Sequence, residues 1–217
     1  MTIRVAIVED HPVVTRGLAA SLGGLEGLEF VGAAKTLAEA RALLASTPCD
    51  VVLLDLRLPD GSGVELLRAA GDDGPAFVVL SSFMTPEYVS AAIAMGASGF
   101  LLKTSETEDI GAAVATAASG ALAFTAEQLR EARRAAWRPL TETERGVLAG
   151  VLAGRSNDEL TGDLGLSRKT VEGYITRLLA RFGLTTRTEL AVKTERDLLL
   201  DLPTAERRGP PDRGKGR

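Results

Sequence analysis

The chain has 217 residues, 45% of them hydrophobic, and a formal net charge of −4. That length allows one large domain or two small ones, and no apolar run approaches the ~18 residues of a membrane span, so no membrane partner is expected. Cys49 is the single cysteine, which excludes an intrachain disulfide and a cysteine zinc cluster. The charge is uneven, with 7 Lys+Arg against 15 Asp+Glu in residues 1–120 and 18 against 14 in residues 121–217. An acidic half suits a cation and a basic half suits nucleic acid. The opening Met1-Thr2-Ile3-Arg4 lacks a signal-peptide pattern, and a cytoplasmic location is expected.

In chain order, Ile3 to Val8 reads as a buried strand ending in the carboxylates Glu9 and Asp10. A helix follows from Pro12, a residue suited to a first helical turn. His11, the only histidine, lies in the loop between them and reads as a solvated or capping residue. Leu28 to Ala33 is a second strand, and Thr36-Leu-Ala-Glu39 caps a helix reaching Leu44. Val51 to Leu54 is a continuous apolar run, the pattern of a strand covered on both faces. It stops at Asp55, and Pro59-Asp60-Gly61 turns the chain. Ser62 to Glu65 is read as the next helix cap. Ala76 to Leu80 is a fourth strand ending at Ser81, and Thr85-Pro86-Glu87 opens a helix running to about Met95, with Met84 and Met95 read as its packing. Gly99 to Leu102 is a fifth strand ending at Lys103, and Ser105 to Glu108 is read as the cap of a helix ending near Ser119.

Alternating strands and helices imply an α/β fold, a parallel sheet covered on both faces. The expected order is 2-1-3-4-5, the flavodoxin-like winding. In such sheets ligands bind outside the carboxyl ends of the strands. Glu9, Asp10, Asp55, Ser81 and Lys103 all follow strand ends, hence share one edge. A strand-end aspartate alone is ordinarily a loop cap. Three carboxylates together repel one another, and Mg²⁺, a hard cation with oxygen ligands, relieves that. A carboxylate between Mg²⁺ and an ammonium is set to attack phosphorus, because the cations offset charge developing on the phosphoryl oxygens.

Residues 1–120 resemble the receiver domain of two-component response regulators, through Val8-Glu9-Asp10-His11, Leu53-Leu54-Asp55-Leu56-Arg57-Leu58-Pro59-Asp60-Gly61, Val79-Leu80-Ser81-Ser82 and Gly99-Phe100-Leu101-Leu102-Lys103. The resemblance implies that Asp55 accepts a phosphoryl group from a sensor histidine kinase. It implies Mg²⁺ held by Glu9, Asp10, Asp55 and the main-chain carbonyl of Arg57, with Lys103 and the switch residues Ser81 and Phe100 answering the phosphoryl group. Arg57 lies near the path of a hydrolytic water and is expected to affect phosphoryl lifetime. Thr104 stands where many receivers carry proline.

Residues 121–138 shift in composition and read as a charged, helical linker with a solvated face, punctuated by Trp137 and Pro139. From Leu140 short capped helices follow. Thr141 to Glu144 and Ser156 to Glu159 are capping boxes, Gly165 breaks the second helix, and Ser167 caps a third running to about Phe182. Val171, Ile175, Leu178, Leu179 and Phe182 form its apolar stripe, opposite Arg168, Lys169, Glu172, Gly173, Thr176 and Arg177. A fourth helix is read over Thr188 to Leu200, where Leu190 and Leu198 to Leu200 serve dimer contacts or close the core. A Pro-, Gly- and Arg-rich disordered tail is expected over 203–217.

Leu140-Thr141-Glu-Thr-Glu144, Gly154-Arg-Ser156-Asn157-Asp-Glu159-Leu160, Leu166-Ser167-Arg-Lys169-Thr170-Val171 and the run from Leu179 to Glu189 resemble the LuxR-type helix-turn-helix. Expected domains are therefore a receiver over 1–120, a linker over 121–138 and an all-α, four-helix DNA-binding domain over 139–202. Together they resemble a NarL/FixJ-type response regulator. That resemblance implies Lys169, Thr170, Val171, Gly173 and Tyr174 facing double-stranded DNA, Arg177, Arg181 and Arg187 near phosphates, and a homodimer on activation. Tyr174 and Glu172 stand where histidine and lysine are frequent. Two other functions compete: a regulator binding DNA without phosphorylation, its receiver serving as a dimer module, and an aspartyl-nucleophile phosphatase. Such phosphatases carry a second Asp two residues after the nucleophile, and that position is Arg57.

Overall fold

The computed structural model describes residues 2–71, 74–82, 84–135 and 140–197. The chain divides into two compact units, 1–137 and 138–217. Trp137, Arg138, Pro139, the leucines at 198–200 and the tail at 203–217 lie outside the described residues.

The first unit holds a five-stranded parallel sheet. Its strands are β1 (Ile3–Val8), β2 (Leu28–Ala34), β3 (Val51–Asp55), β6 (Ala76–Ser81) and β7 (Gly99–Leu102), in the order β2-β1-β3-β6-β7. This is the expected winding. β4 (Arg57–Leu58) and β5 (Gly61–Ser62) form a separate two-residue antiparallel ladder just past Asp55. The helices are α1 (Pro12–Gly23), α2 (Leu37–Ser46), α3 (Val64–Ala69), α4 (Pro86–Ala94), α5 (Thr107–Ala118) and α6 (Ala126–Ala135).

Alternation along the central strands divides the core. Val5, Ile7, Val51, Leu53, Val78 and Leu80 pack with Leu18 and Leu22 of α1 and with Ile110, Val114 and Ala117 of α5. The intervening Ala6, Val8, Val52, Leu54 and Val79 are equally buried, as period-two side chains must be when both sheet faces are covered. Burial of each such leucine stabilises by about 1.5–3 kcal/mol, so Leu53→Ala is expected to cost about 2–5 kcal/mol.

Two caps differ from expectation. Ser62 belongs to β5, and α3 starts after Gly63 without a side-chain cap; Glu65 instead pairs with Arg41 at 2.6 Å. Helix α5 begins after Glu106, also uncapped, and Thr107 Oγ1 donates to Ser21 Oγ at 3.1 Å. At α3 a tertiary partner thus takes the glutamate that the local motif assigns to capping. Asp60, at the tip of the β4–β5 hairpin, accepts from the backbone N–H groups of Leu37 (2.7 Å) and Ala38 (3.0 Å). The loop after Asp55 is thus anchored to the amino end of α2, where orphan N–H groups need acceptors.

Helix α6 belongs to the first unit and packs on α4. Arg130, Arg133 and Arg134 are exposed, as a solvated face requires, while Ala132 is buried on the other side. Before α6, Ala123 N–H donates to the Ser98 carbonyl at 2.6 Å and pairs as an isolated parallel bridge with Gly99.

The second unit contains α7 (Glu142–Leu152), α8 (Asn157–Leu164), α9 (Arg168–Arg181) and α10 (Arg187–Asp197). Both expected capping boxes form. Glu144 accepts from Thr141 N–H at 2.9 Å while Thr141 Oγ1 accepts from Glu144 N–H at 3.2 Å, and Ser156 and Glu159 repeat the exchange. Gly165, at φ 63°, ends α8 in the left-handed region, and Ser167 Oγ then accepts from Thr170 N–H to start α9. Leu140, Val147, Leu148, Val151, Leu160, Val171, Ile175, Leu178, Phe182 and Leu190 form the core.

Candidate functional site

The sheet brings its polar strand ends together. Asp55 closes β3 and is 5% exposed. Its Oδ1 accepts from Arg57 N–H at 3.0 Å, and its Oδ2 accepts from Lys103 Nζ at 2.7 Å. Lys103, just past β7, also lies 2.6 Å from Oε2 of the fully buried Glu9. One ammonium therefore bridges the ends of β1 and β3. Burial raises the Asp55 carboxyl above its usual range, and the bonds from Arg57 N–H and Lys103 only partly offset this. For Lys103, burial disfavours the charge, but its bonds to Asp55 and Glu9 outweigh burial and hold the ammonium above its ordinary value.

Asp10 and His11 complete the cluster. Carboxylate oxygens of Glu9, Asp10 and Asp55 and a ring nitrogen of His11 all lie within 4.8 Å of one another. The His11 ring is largely exposed and sits at the N-cap of α1 without a side-chain cap bond, and it also pairs with the carboxylates. Its Nδ1 is 2.5 Å from Asp10 Oδ1 and 2.9 Å from Glu9 Oε1, and its backbone N–H donates to Glu9 Oε1 at 3.0 Å. The hydrogen bond to Glu9 and the charge of Asp10 raise its pKa. Three crowded carboxylates facing one lysine make an oxygen-rich donor set that fits a hard divalent cation.

Ser81 ends β6 one register step from Asp55, and its carbonyl accepts from Lys103 N–H at 2.8 Å. Phe100 is buried in β7 opposite Val79. Its carbonyl accepts from Gln128 Nε2 of α6 at 3.3 Å, and the same nitrogen lies 3.2 Å from Met84 Sδ. Gln128 is not singled out by the sequence reading, although Thr125-Ala-Glu-Gln128 is a capping-box pattern. Gln128 Oε1 indeed accepts from Thr125 N–H at 2.7 Å, and Thr125 Oγ1 accepts from Gln128 N–H at 3.1 Å. Arg57 is exposed in β4.

In the second unit, Lys169, Thr170, Glu172, Thr176 and Arg177 are exposed on α9, with Gly173 and Tyr174 partly so. Val171 is a correction: its side chain is fully buried beside Ile175 and Leu178 on the inward face, so it is unavailable to DNA. Arg181 is 18% exposed and lies 3.8 Å from Glu144. Arg187 donates to Asn157 Oδ1 at 2.9 Å and to the Arg155 carbonyl. Both of these arginines are held within the unit. Arg168 is paired with Glu172 and Asp158, both at 3.1 Å. The Arg177 guanidinium stacks 4.4 Å from the Tyr174 ring centroid, and no carboxylate among the described residues lies within ion-pair distance of it. Among the described residues Lys169 and Arg177 are thus the cations of this face outside any ion pair.

Comparison with known proteins agrees with both units. The response regulator receiver domain family matches residues 5–115, and the luxR family of bacterial regulatory proteins matches residues 138–194. The DNA-binding transcriptional activator DevR/DosR of Mycobacterium tuberculosis is 36% identical over 201 residues, covering 88% of this chain and 93% of that protein. The transcriptional regulatory protein LiaR of Bacillus subtilis is 31% identical over 212 residues, covering 92% and 100%. A solved structure of two RcsB dimers bound to two parallel DNAs has the same fold, with a TM-score of 0.69 at 22% identity over 91% of this chain and 100% of that one. Among the described residues no helix is long and apolar enough to cross a membrane. A carboxylate-lined sheet edge in one unit and a helix-turn-helix in the other, matched over nearly the full length, place this chain among the two-component response regulators that join a receiver to a LuxR-type helix-turn-helix, DNA-binding regulators of transcription.

Proposed function

We propose that Asp55 is the phosphoacceptor and that its phosphorylation controls DNA binding by α9. The observation that carries this is the position of Asp55, nearly buried, 2.7 Å from Lys103 and grouped with Glu9 and Asp10. An Asp55 oxygen attacks the phosphorus of a kinase phosphohistidine. The O–P bond forms, the N–P bond breaks, and the imidazole leaves and takes up a proton. Lys103 offsets charge on the transferred oxygens. Glu9, Asp10, Asp55 and the carbonyl of Arg57 are the groups that would hold Mg²⁺, which when bound supplies further compensating charge. Ser81 then donates to a phosphoryl oxygen, and Phe100 couples this change to the neighbouring face. The family is one of transcription regulators, and any loss of the phosphoryl group is incidental rather than turnover.

Phosphorylation favours a homodimer that places two recognition helices on paired half-sites of double-stranded DNA, in the cytoplasm. The RcsB dimers seen on DNA support the dimer. Lys169, Thr170, Gly173, Tyr174 and Arg177 face DNA in this reading, while Arg181 and Arg187 approach phosphates only where their internal partners allow. The test is intact mass after incubation with Mg²⁺ and a small phosphodonor, followed by DNA binding in both states. A gain of one phosphoryl group in wild type but not in Asp55→Asn, with tighter DNA binding, is expected. Equal DNA affinity for wild type and Asp55→Ala after full phosphorylation of the former favours the phosphate-independent regulator.

A further inference from the structure

We infer that Gly173, flanked by Thr170 and Thr176, forms a small apolar notch on α9 that takes the 5-methyl group of a thymine in the major groove. The inference rests on α9 being the DNA-facing helix and specifies what one part of it reads.

Gly173 sits in the interior of the 14-residue α9. Glycine makes a helix position roughly fivefold less favourable than alanine does. Packing explains two of the other helical glycines of this unit, Gly146 and Gly150. A Cβ at Gly146 would come within 2.9 Å of Leu164 Cδ2, and one at Gly150 would run into the Leu160 side chain. Nothing comparable constrains Gly173. An added Cβ there would meet only the far end of Arg177, with Nη1 at an ordinary 3.7 Å. Its φ is not positive either. The fold therefore gives no reason for glycine at this position, and the missing side chain leaves space on the exposed side of the helix.

Hydrogen bonds occupy the hydroxyls of the two threonines beside that space. Residues three apart are neighbours on a helix surface, so Thr170 and Thr176 border Gly173 on adjacent turns. The Thr170 hydroxyl is 2.7 Å from Ser167 Oγ at the helix cap, and the Thr176 hydroxyl donates to the Glu172 carbonyl at 2.9 Å. With both hydroxyls bonded within their own helix, each threonine has its methyl group left to contact DNA. Arg177, held over Tyr174, borders the same space. A shallow apolar recess on a polar, cationic face matches one feature of the major groove, the thymine methyl, which threonine methyls and small side chains contact.

The test starts by selecting duplexes from a random-sequence library with the full-length protein treated with Mg²⁺ and a small phosphodonor. Each thymine of the selected duplex is then replaced by deoxyuridine, which removes only the methyl. Wild type is expected to lose affinity roughly fourfold at one thymine per half-site, the worth of one buried methyl. Gly173→Ala is expected to bind the selected duplex more weakly, to ignore that replacement, and to melt no lower than wild type. Gly162→Ala, an equally open helical position on α8, serves as the control and should keep the wild-type response. Uniform indifference of wild type to every replacement overturns the notch, as does a Gly173→Ala protein that responds as wild type does. Failure of wild type to enrich any sequence overturns the DNA-facing assignment itself, together with the notch.

Discussion

Gln128 Nε2 donates to the Phe100 carbonyl at 3.3 Å, which ties α6 directly to the strand carrying the buried aromatic of the receiver. The same side chain closes its own helix cap through Thr125. One residue thus couples the start of α6 to β7, and the packing of α6 on α4 extends that coupling along the helix.

Gln128→Glu separates the two roles. A carboxylate still accepts from Thr125 N–H but has no donor for Phe100. Loss of one such hydrogen bond costs about 1 kcal/mol, so amides of 126–135 should exchange roughly fivefold faster, with β1 and β3 unchanged. Unaltered exchange would mean that apolar packing such as that of Ala132 holds α6 alone.

The acidic cluster predicts a metal-dependent stability. Glu9, Asp10 and Asp55 face one lysine, so Mg²⁺ should raise the melting temperature of wild type, by about 1.4 kcal/mol of stability at ten times the dissociation constant. Asp10→Asn should lose most of that gain. Asp55→Asn should be more stable than wild type without metal, because it removes a buried charge from a crowded set. Differential scanning fluorimetry with and without Mg²⁺ measures both, and a metal gain undiminished in Asp10→Asn would place the cation elsewhere.

A second carboxylate gives the pH dependence. Asp50 accepts from Arg4 Nη2 at 2.8 Å, Arg4 Nε at 3.1 Å and Arg4 N–H at 2.7 Å, joining the starts of β3 and β1. The Arg4 side-chain bonds, then its backbone bond, hold the Asp50 carboxyl below the usual range. A depressed folded-state pKa adds stability that is fully present above the unfolded carboxylate value and is lost as pH falls through the folded one. Asp50→Asn should therefore be less stable than wild type at neutral pH and should converge on it in acid. Parallel stability curves from about pH 7 to pH 3 would remove this contribution.

The sheet and its edge were legible because each central strand is a short apolar run that stops at a polar residue. Asp55 after Val51–Leu54 and Lys103 after Gly99–Leu102 need only strand periodicity and the parallel-sheet rule to be brought together. The capping boxes of α7 and α8 are equally local, since donor and acceptor lie three residues apart. What escaped depends on partners distant in sequence. Gln128 reaches 28 residues back to Phe100, and Glu65 leaves its expected cap for Arg41. Val171 carries a motif resemblance to a DNA-facing residue, yet its place on the apolar stripe of α9 already points it inward. There helical periodicity is the better guide than the motif.

The same distinction separates the cations of the second unit. Lys169 is exposed, and among the described residues no ion pair engages it. Its contribution to DNA binding should be electrostatic and indifferent to sequence. Lys169→Ala should weaken selected and scrambled duplexes alike and reduce the slope of log K against log salt by about 0.9, the value for a single phosphate no longer neutralised. Arg187 is bonded to Asn157 and to the Arg155 carbonyl, which links the start of α10 to the start of α8. Arg187→Ala should therefore lower the stability of the second unit and leave the salt slope near the wild-type value. Binding isotherms across a series of salt concentrations, with thermal melts of each variant, tell the two apart. A salt slope reduced equally in both would show that Arg187 leaves its internal partners to reach phosphate.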